Sequence, residues 1–198
     1  AGVFYKKIDD FIVDLTRTNV EYQGHVYKLF SQPQNAGNAN LFGVELAYQR
    51  DFGFITPALK CLGFYGTYTY SHSRVKDFNF EGRENESGLS LPGSPEHTAN
   101  LSLYFEKKGL NMRLSYNFAS DFIDEMGQSS FYDRYYDKVG YMDFNASYTF
   151  GKKFKTTIYA EANNLLNQPL RYYQGTKNRT AQAEYYGVKV NAGIKINL

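Results

Sequence analysis

The chain has 198 residues, 42% hydrophobic, 21% charged and with a formal net charge of +2, a composition that supports a folded domain and excludes disorder. So small a net charge, with scattered lysines, argues against nucleic acid as a partner, which calls for clustered Lys and Arg on a basic domain. Cys61 is the lone cysteine, so neither an internal disulfide nor a cysteine-rich zinc site holds the fold together.

The 19 Tyr and 16 Phe, with no Trp, favour strands, because flat rings pack well on a pleated surface. Nowhere is there a run of about 18 apolar residues, which excludes a transmembrane helix but not a membrane barrel, whose strands are only half apolar. The opening "AGVFYKKIDDFIVDL" carries no basic-then-apolar secretion signal, so the chain reads as mature or as a piece of something longer.

Period-2 alternation recurs along the whole chain. A first strand is expected near Val3 to Thr16. "NLFGVELAYQ" then sets Phe42, Val44, Leu46 and Tyr48 against Gly43, Glu45, Ala47 and Gln49, and "GFYGTYTYSHS" sets Phe64, Tyr68 and Tyr70 against Tyr65, Thr67, Thr69 and Ser71. Leu101, Leu103 and Phe105 share one face of "TANLSLYFE", as do Met112, Leu114, Tyr116 and Phe118 in "LNMRLSYNFAS". "YMDFNASYTF" and "FKTTIYAEAN" follow, and the chain finishes on "YYGVKVNAGIKINL". About eight strands result.

Alternation alone also fits a soluble sandwich; connection lengths separate the two. The links Glu106 to Gly109 and Gly151 to Lys153 are very short. Those on the other side, Thr18 to Asn38, His72 to Glu96, Ser120 to Lys138 and Asn164 to Gln182, are long and polar. Between the second and third strands the link "RDFGFITPAL" is of middling length. Alternating short and long links are the form of an up-and-down outer-membrane barrel. The face opposite the apolar one carries Glu45, Asn100, Arg113, Asp143, Glu161 and Lys189, suited to a wet lumen. Tyr48, Tyr68, Tyr70, Tyr116, Phe118, Tyr148 and Phe150 fall near strand ends on the apolar face, where rings sit at the headgroup level. The expected fold class is therefore all-β, a transmembrane antiparallel up-and-down β-barrel.

The tail, with Asn191, Gly193, Ile196 and Leu198, resembles the C-terminal signal by which Gram-negative outer-membrane barrels are recognised for assembly, although Leu198 stands where an aromatic residue is usual. A last strand with one apolar and one polar face can add edgewise to a growing sheet. More specifically, "AGVFYKKIDDFI", "FGVELAYQ", "LPGSPEHTANLSLYFEKKGLNMRLSYNFASDF" and "YAEANNLLNQPLRYYQG" followed by the tail resemble the C-terminal part of the β-barrel of a TonB-dependent receptor. The resemblance covers essentially the whole chain. It implies about eight strands of a larger barrel, of about 22 strands, with residues 1–198 as its C-terminal portion and the N-terminal plug outside this chain. It also implies location in the bacterial outer membrane with the C-terminus in the periplasm, and energy-coupled uptake of a scarce ligand of siderophore, vitamin or glycan type. The partners implied are outer-membrane lipid, the plug and N-terminal barrel strands, TonB acting through the plug, and a surface lipoprotein. The alternative is a complete eight-stranded barrel with a structural or adhesive role, whose bore side chains would just fill. Against it stand Gly43, Gly63, Gly187 and Gly193 at lumen positions, which suit sharp curvature or a close neighbour such as a plug.

Candidate ligand residues lie in two loops: Tyr132, Arg134, Tyr135 and Tyr136 in "FYDRYYDK", and Arg171, Tyr172, Tyr173 and Arg179 in "LRYYQGTKNR". Tyrosine offers an apolar face and one hydroxyl, arginine a planar fork for carboxylates. The competing reading is that these residues fold the loops onto one another. No cofactor or metal site is expected, since His25, His72 and His97 have no partner at ligand spacing and Asp121, Asp124 and Glu125 lack the regular spacing of a calcium loop. Ser94 and His97 have no evident orienting acid, so no enzyme activity is expected.

Overall fold

The computed structural model describes residues 1–78, 83, 85–152 and 154–197. Its main feature is one antiparallel eight-stranded sheet built from β1 (Gly2–Ile8), β4 (Asn38–Asp51), β5 (Leu62–Lys76), β6 (His97–Lys107), β7 (Leu110–Ala119), β10 (Val139–Phe150), β11 (Lys155–Asn163) and β14 (Lys189–Asn197), in that spatial order. At 14, 15 and 12 residues, β4, β5 and β10 exceed the roughly 9–11 residues a tilted strand needs to cross a bilayer. Among the described residues no helix is long and apolar enough to cross.

Register carries the two-faced pattern from strand to strand. Phe64 faces Leu103, Leu103 faces Leu114, Leu114 faces Phe144, Phe144 faces Ala162 and Ala162 faces Val190, one transverse apolar row. On the reverse side Tyr104, Arg113, Asn145, Glu161 and Asn191 form the corresponding polar row. Because the side-chain period is two, a slip of one residue would exchange the rows, so the pattern itself pins the register. Short polar pairs strengthen the wet side, Ser102 to Ser115 at 3.0 Å and Thr149 to Thr157 at 2.8 Å. The apolar row faces outward with nothing of this chain upon it: Leu103 is 49% and Val190 69% exposed. A stripe this continuous and this bare is what hydrocarbon covers.

The sheet does not close. β1 and β14 are its two edges, and eight strands leave the wall open. Lumen glycines have a local occupant: the ring of Phe4 lies over Gly43, Tyr104 over Gly63 and Tyr159 over Gly193, each from the adjacent strand. A Cβ at any of the three would collide with that ring, so the small residue makes room for the aromatic beside it. Gly187 differs, lying before β14 with φ +75 and open space around it.

Tight turns close the short-link end. β6 and β7 are joined by Lys108 and Gly109 alone, both with positive φ (47 and 84), the mirror-image turn that fits strand twist. The opposite end departs from expectation. The opening strand does not run to Thr16; β1 stops at Ile8, the chain turns through Asp10 at φ 53, and a separate hairpin follows, β2 (Ile12–Tyr22) with β3 (His25–Asn35). Alternation continues across the turn, so the sequence pattern bridges two strands of different sheets. The tail strand likewise begins at Lys189 rather than Tyr185.

Candidate functional site

The long-loop end of the wall carries its own small core. Phe11, just before the hairpin, and Val13 and Leu15 on β2 meet Val75 at the end of β5 and Phe78 just past it, together with Ile123 and Met126. Val13 and Leu15 alternate with Asp14 and Thr16, so one hairpin face is buried and the other is free to line a cleft.

Against this core packs a second sheet made from the loops: β8 (Phe122–Glu125), β9 (Arg134–Tyr136), β12 (Leu170–Gln174) and β13 (Thr180–Glu184), in the order β13-β12-β9-β8. Tyr172 pairs with Tyr136, Tyr173 with Tyr135 and Gln174 with Arg134. The two loops singled out in the sequence are thus brought side by side. Tyr135 and Tyr173 stack with centroids 4.9 Å apart, and Tyr136 meets Tyr172 edge-on at 5.1 Å. Tyr173 is buried and donates its hydroxyl to Asp121 at 2.5 Å. Burial, then the carboxylate, hold the Tyr173 phenol well above its ordinary range. Burial, then the hydrogen bond with Tyr141, pushes Tyr136 up to about 12. Burial pushes Asp121 up as well, but hydrogen bonds from Tyr173 and Lys177 outweigh it and leave the carboxyl below its usual range.

None of the three candidate arginines offers a wholly uncommitted fork. Arg134 bridges Asp124 at 2.6 Å and Glu125 at 3.0 Å, with its guanidinium 5.2 Å from the Tyr172 ring centroid. Arg171 bridges Asp137 at 2.6 Å and also donates to the Lys177 carbonyl. Arg179 lies 3.8 Å from the Phe131 ring centroid and donates to the Phe131 carbonyl at 2.9 Å. Tyr132 stands at the rim, half exposed, its carbonyl accepting from Gln174.

Between the hairpin and this loop sheet lie two neighbouring cavities. One, of about 310 Å³, is lined by Thr16, Thr18, Leu29, Gln128, Tyr132, Arg134 and Gln174; the other, of about 450 Å³, by Asp14, Ser31, Asp124, Glu125 and Arg134. Glu125 and Arg134 line both. Thr16, Thr18, Leu29, Gln128 and Gln174 were not among the residues singled out from sequence, because they are ordinary strand and loop types whose convergence depends on folding.

Gly127, which lines the first cavity, is held by a buried ion cluster. Arg83 is 1% and Asp133 0% exposed; their forks meet at 2.6 and 2.9 Å, and Arg83 also binds Glu86 and the Gly127 carbonyl. Burial works against the Arg83 charge, but the two carboxylates raise its pKa above the ordinary value. Among the described residues no cluster of His, Cys, Asp or Glu is arranged to hold a metal. His72 and His97 are engaged by Glu96 at 3.1 Å and Tyr68 at 2.7 Å. In the tail, Asn191 faces Glu161, Gly193 receives the Tyr159 ring and Ile196 stands on the apolar side; Leu198 lies outside the described residues.

A bare apolar wall, a polar inner face, tight turns at one end and folded loops at the other define a membrane β-barrel segment. Residues 1–165 match the family described as TonB dependent receptor-like, beta-barrel, and the chain belongs to that family. A comparison with curated proteins finds no match. Membership makes this a barrel of the receptor and transporter class, a family of transporters rather than enzymes, and brings with it the outer membrane, a plug and TonB.

Proposed function

We propose that residues 1–198 form the C-terminal portion of the barrel of an energy-coupled importer, with the plug and remaining strands supplied by other parts of the receptor. The open edges β1 and β14 support this, since each presents unpaired backbone groups that hydrocarbon cannot satisfy. In this reading the loop end faces outward, the short turns and the C-terminus lie in the periplasm, and TonB acts through the plug. Ligand, of siderophore, vitamin or glycan type, is captured in the cleft between the β2–β3 hairpin and the loop sheet. A surface lipoprotein would seat on the hairpin tip, where Tyr22 and Val26 are exposed.

The observation that carries the reading is the convergence of Thr16 and Thr18 with Gln128, Tyr132, Arg134 and Gln174 around one cavity above the wall. Hydroxyl, amide and phenol groups supply directional contacts, and Leu29 an apolar one. The test is uptake by cells carrying the full receptor, offered labelled ferric siderophores, cobalamin and neutral oligosaccharides with and without a protonophore. One ligand is expected to enter in an energy-dependent manner, with entry lowered by Thr18→Trp and Tyr132→Ala. Uptake indifferent to both substitutions overturns the placement of the site; no energy-dependent uptake of any of them overturns the importer.

A further inference from the structure

The connection between β4 and β5 is unlike its neighbours at the short-turn end. Where β6 and β7 are joined by Lys108 and Gly109, here two short 3-10 turns, Phe52–Phe54 and Pro57–Leu59, intervene. They leave Phe54 56% and Ile55 63% exposed, with Phe52 meeting Phe54 edge-on. Asp51 is spent locally: its carboxylate accepts from the Gly53 amide at 2.8 Å.

Two cations stand in the same turn. Arg50 follows Phe42, Val44, Leu46 and Tyr48 on the apolar face of β4, opposite Phe64, and its guanidinium lies 4.1 Å from the Phe54 ring centroid. Lys60 passes beside Gly53, where an added Cβ would lie 3.3 Å from its stem. Among the described residues neither cation has a carboxylate within ion-pair distance. A bare aromatic and a bare isoleucine beside two unpaired cations, at the end of a hydrocarbon-facing stripe, match the boundary between acyl chains and phosphate.

We propose that the β4–β5 turn is an interfacial anchor in which Arg50 and Lys60 hold the phosphate of an anionic glycerophospholipid while Phe54 and Ile55 lie beneath the headgroups. The identity of the lipid rests on the orientation proposed above, which puts this end in the periplasmic leaflet. Apolar contact fixes the depth of the turn, and the cations select charge.

The test uses the full receptor in nanodiscs of phosphatidylcholine doped with phosphatidylglycerol. A spin label at Ile55→Cys in a Cys61→Ser background is expected just below headgroup depth, whereas one at Lys108→Cys is freely reached by aqueous reagent. Retention of phosphatidylglycerol through detergent extraction, read by native mass spectrometry, is expected to fall on the order of tenfold in the Arg50→Gln, Lys60→Gln double variant. Unchanged far-ultraviolet circular dichroism in that variant shows the fold is intact. A label at Ile55 as water-exposed as that at Lys108, or unaltered lipid retention, overturns the anchor. Labelling of Lys108→Cys by a membrane-impermeant reagent on intact cells overturns the orientation instead, and with it the choice of lipid, while leaving the depth result standing.

Discussion

The rings of Tyr135 and Tyr173, 38 positions apart by their numbers, lie parallel within 3° and 4.9 Å apart, each on a strand made from a different long loop. This contact joins the two candidate loops, and the Tyr173 hydroxyl ties the pair to Asp121. Tyr173→Phe keeps the stack and removes the hydroxyl, leaving the part-buried Asp121 with Lys177 as its remaining side-chain partner. It should weaken the loop sheet by about 1–3 kcal/mol. Limited proteolysis within residues 126–133, with the wall intact by its heat-modifiable mobility, reads the effect.

Ionisation of the loop tyrosines gives a second expectation, with its sign fixed by direction of shift. Tyr135, Tyr136 and Tyr173 are all raised above the ordinary 10, Tyr136 to about 12. A raised folded value means the proton is held more tightly in the folded loops, so this stabilisation is complete below pH 10 and is lost as pH rises through the folded values. Asp121 runs opposite: its lowered value contributes stability above the unfolded 3.8 that disappears as pH falls through the folded value. Spectrophotometric titration should show a late-ionising tyrosine class that shrinks in Tyr136→Phe and in Tyr173→Phe.

Arg83 and Asp133 give the largest expected loss. Removing the cation by Arg83→Met strands a carboxylate at 0% exposure, expected to cost about 3–5 kcal/mol, whereas pairing it with Asp133→Leu should recover most of that. Hydrogen exchange of the loop amides measures both. A double variant no better than the single would mean that this loop is held by Glu86 and the apolar core instead.

On the wall, position decides the effect of charge. Leu103→Arg on the apolar row should destabilise by about 2–4 kcal/mol in a bilayer. Ser102→Arg, one residue away on the wet face, should be far milder. Reversible denaturation from liposomes compares the two.

The wall from β4 onward was legible because its strands are long enough to show their period several times over. Phe42 to Tyr48 and Leu110 to Phe118 need no tertiary information to be placed on one face, and the register agrees strand by strand. The loop end was not legible, for two reasons. β9 and β12 have 3 and 5 residues, too few for a period to emerge from aromatic-rich loop sequence. The hairpin alternates as well as any wall strand, so Ile12, Asp14 and Thr16 extended the first strand past a turn whose only local sign is the pair Asp9–Asp10. Within the candidate site, Tyr and Arg were conspicuous by type, but their commitments were not visible: Arg134 to Asp124 and Glu125, and Arg171 to Asp137, follow from pairing between loops.

One face of these strands meets hydrocarbon and the other water. Spin labels walked along β7 from Asn111 to Asn117 in the full receptor, reconstituted in a bilayer, test it most directly. Collision with dissolved oxygen should peak at Met112, Leu114 and Tyr116, and collision with a water-soluble nickel chelate at Arg113, Ser115 and Asn117. Accessibility without a period of two, or labels at Met112 and Leu114 shielded from both probes, would contradict the account.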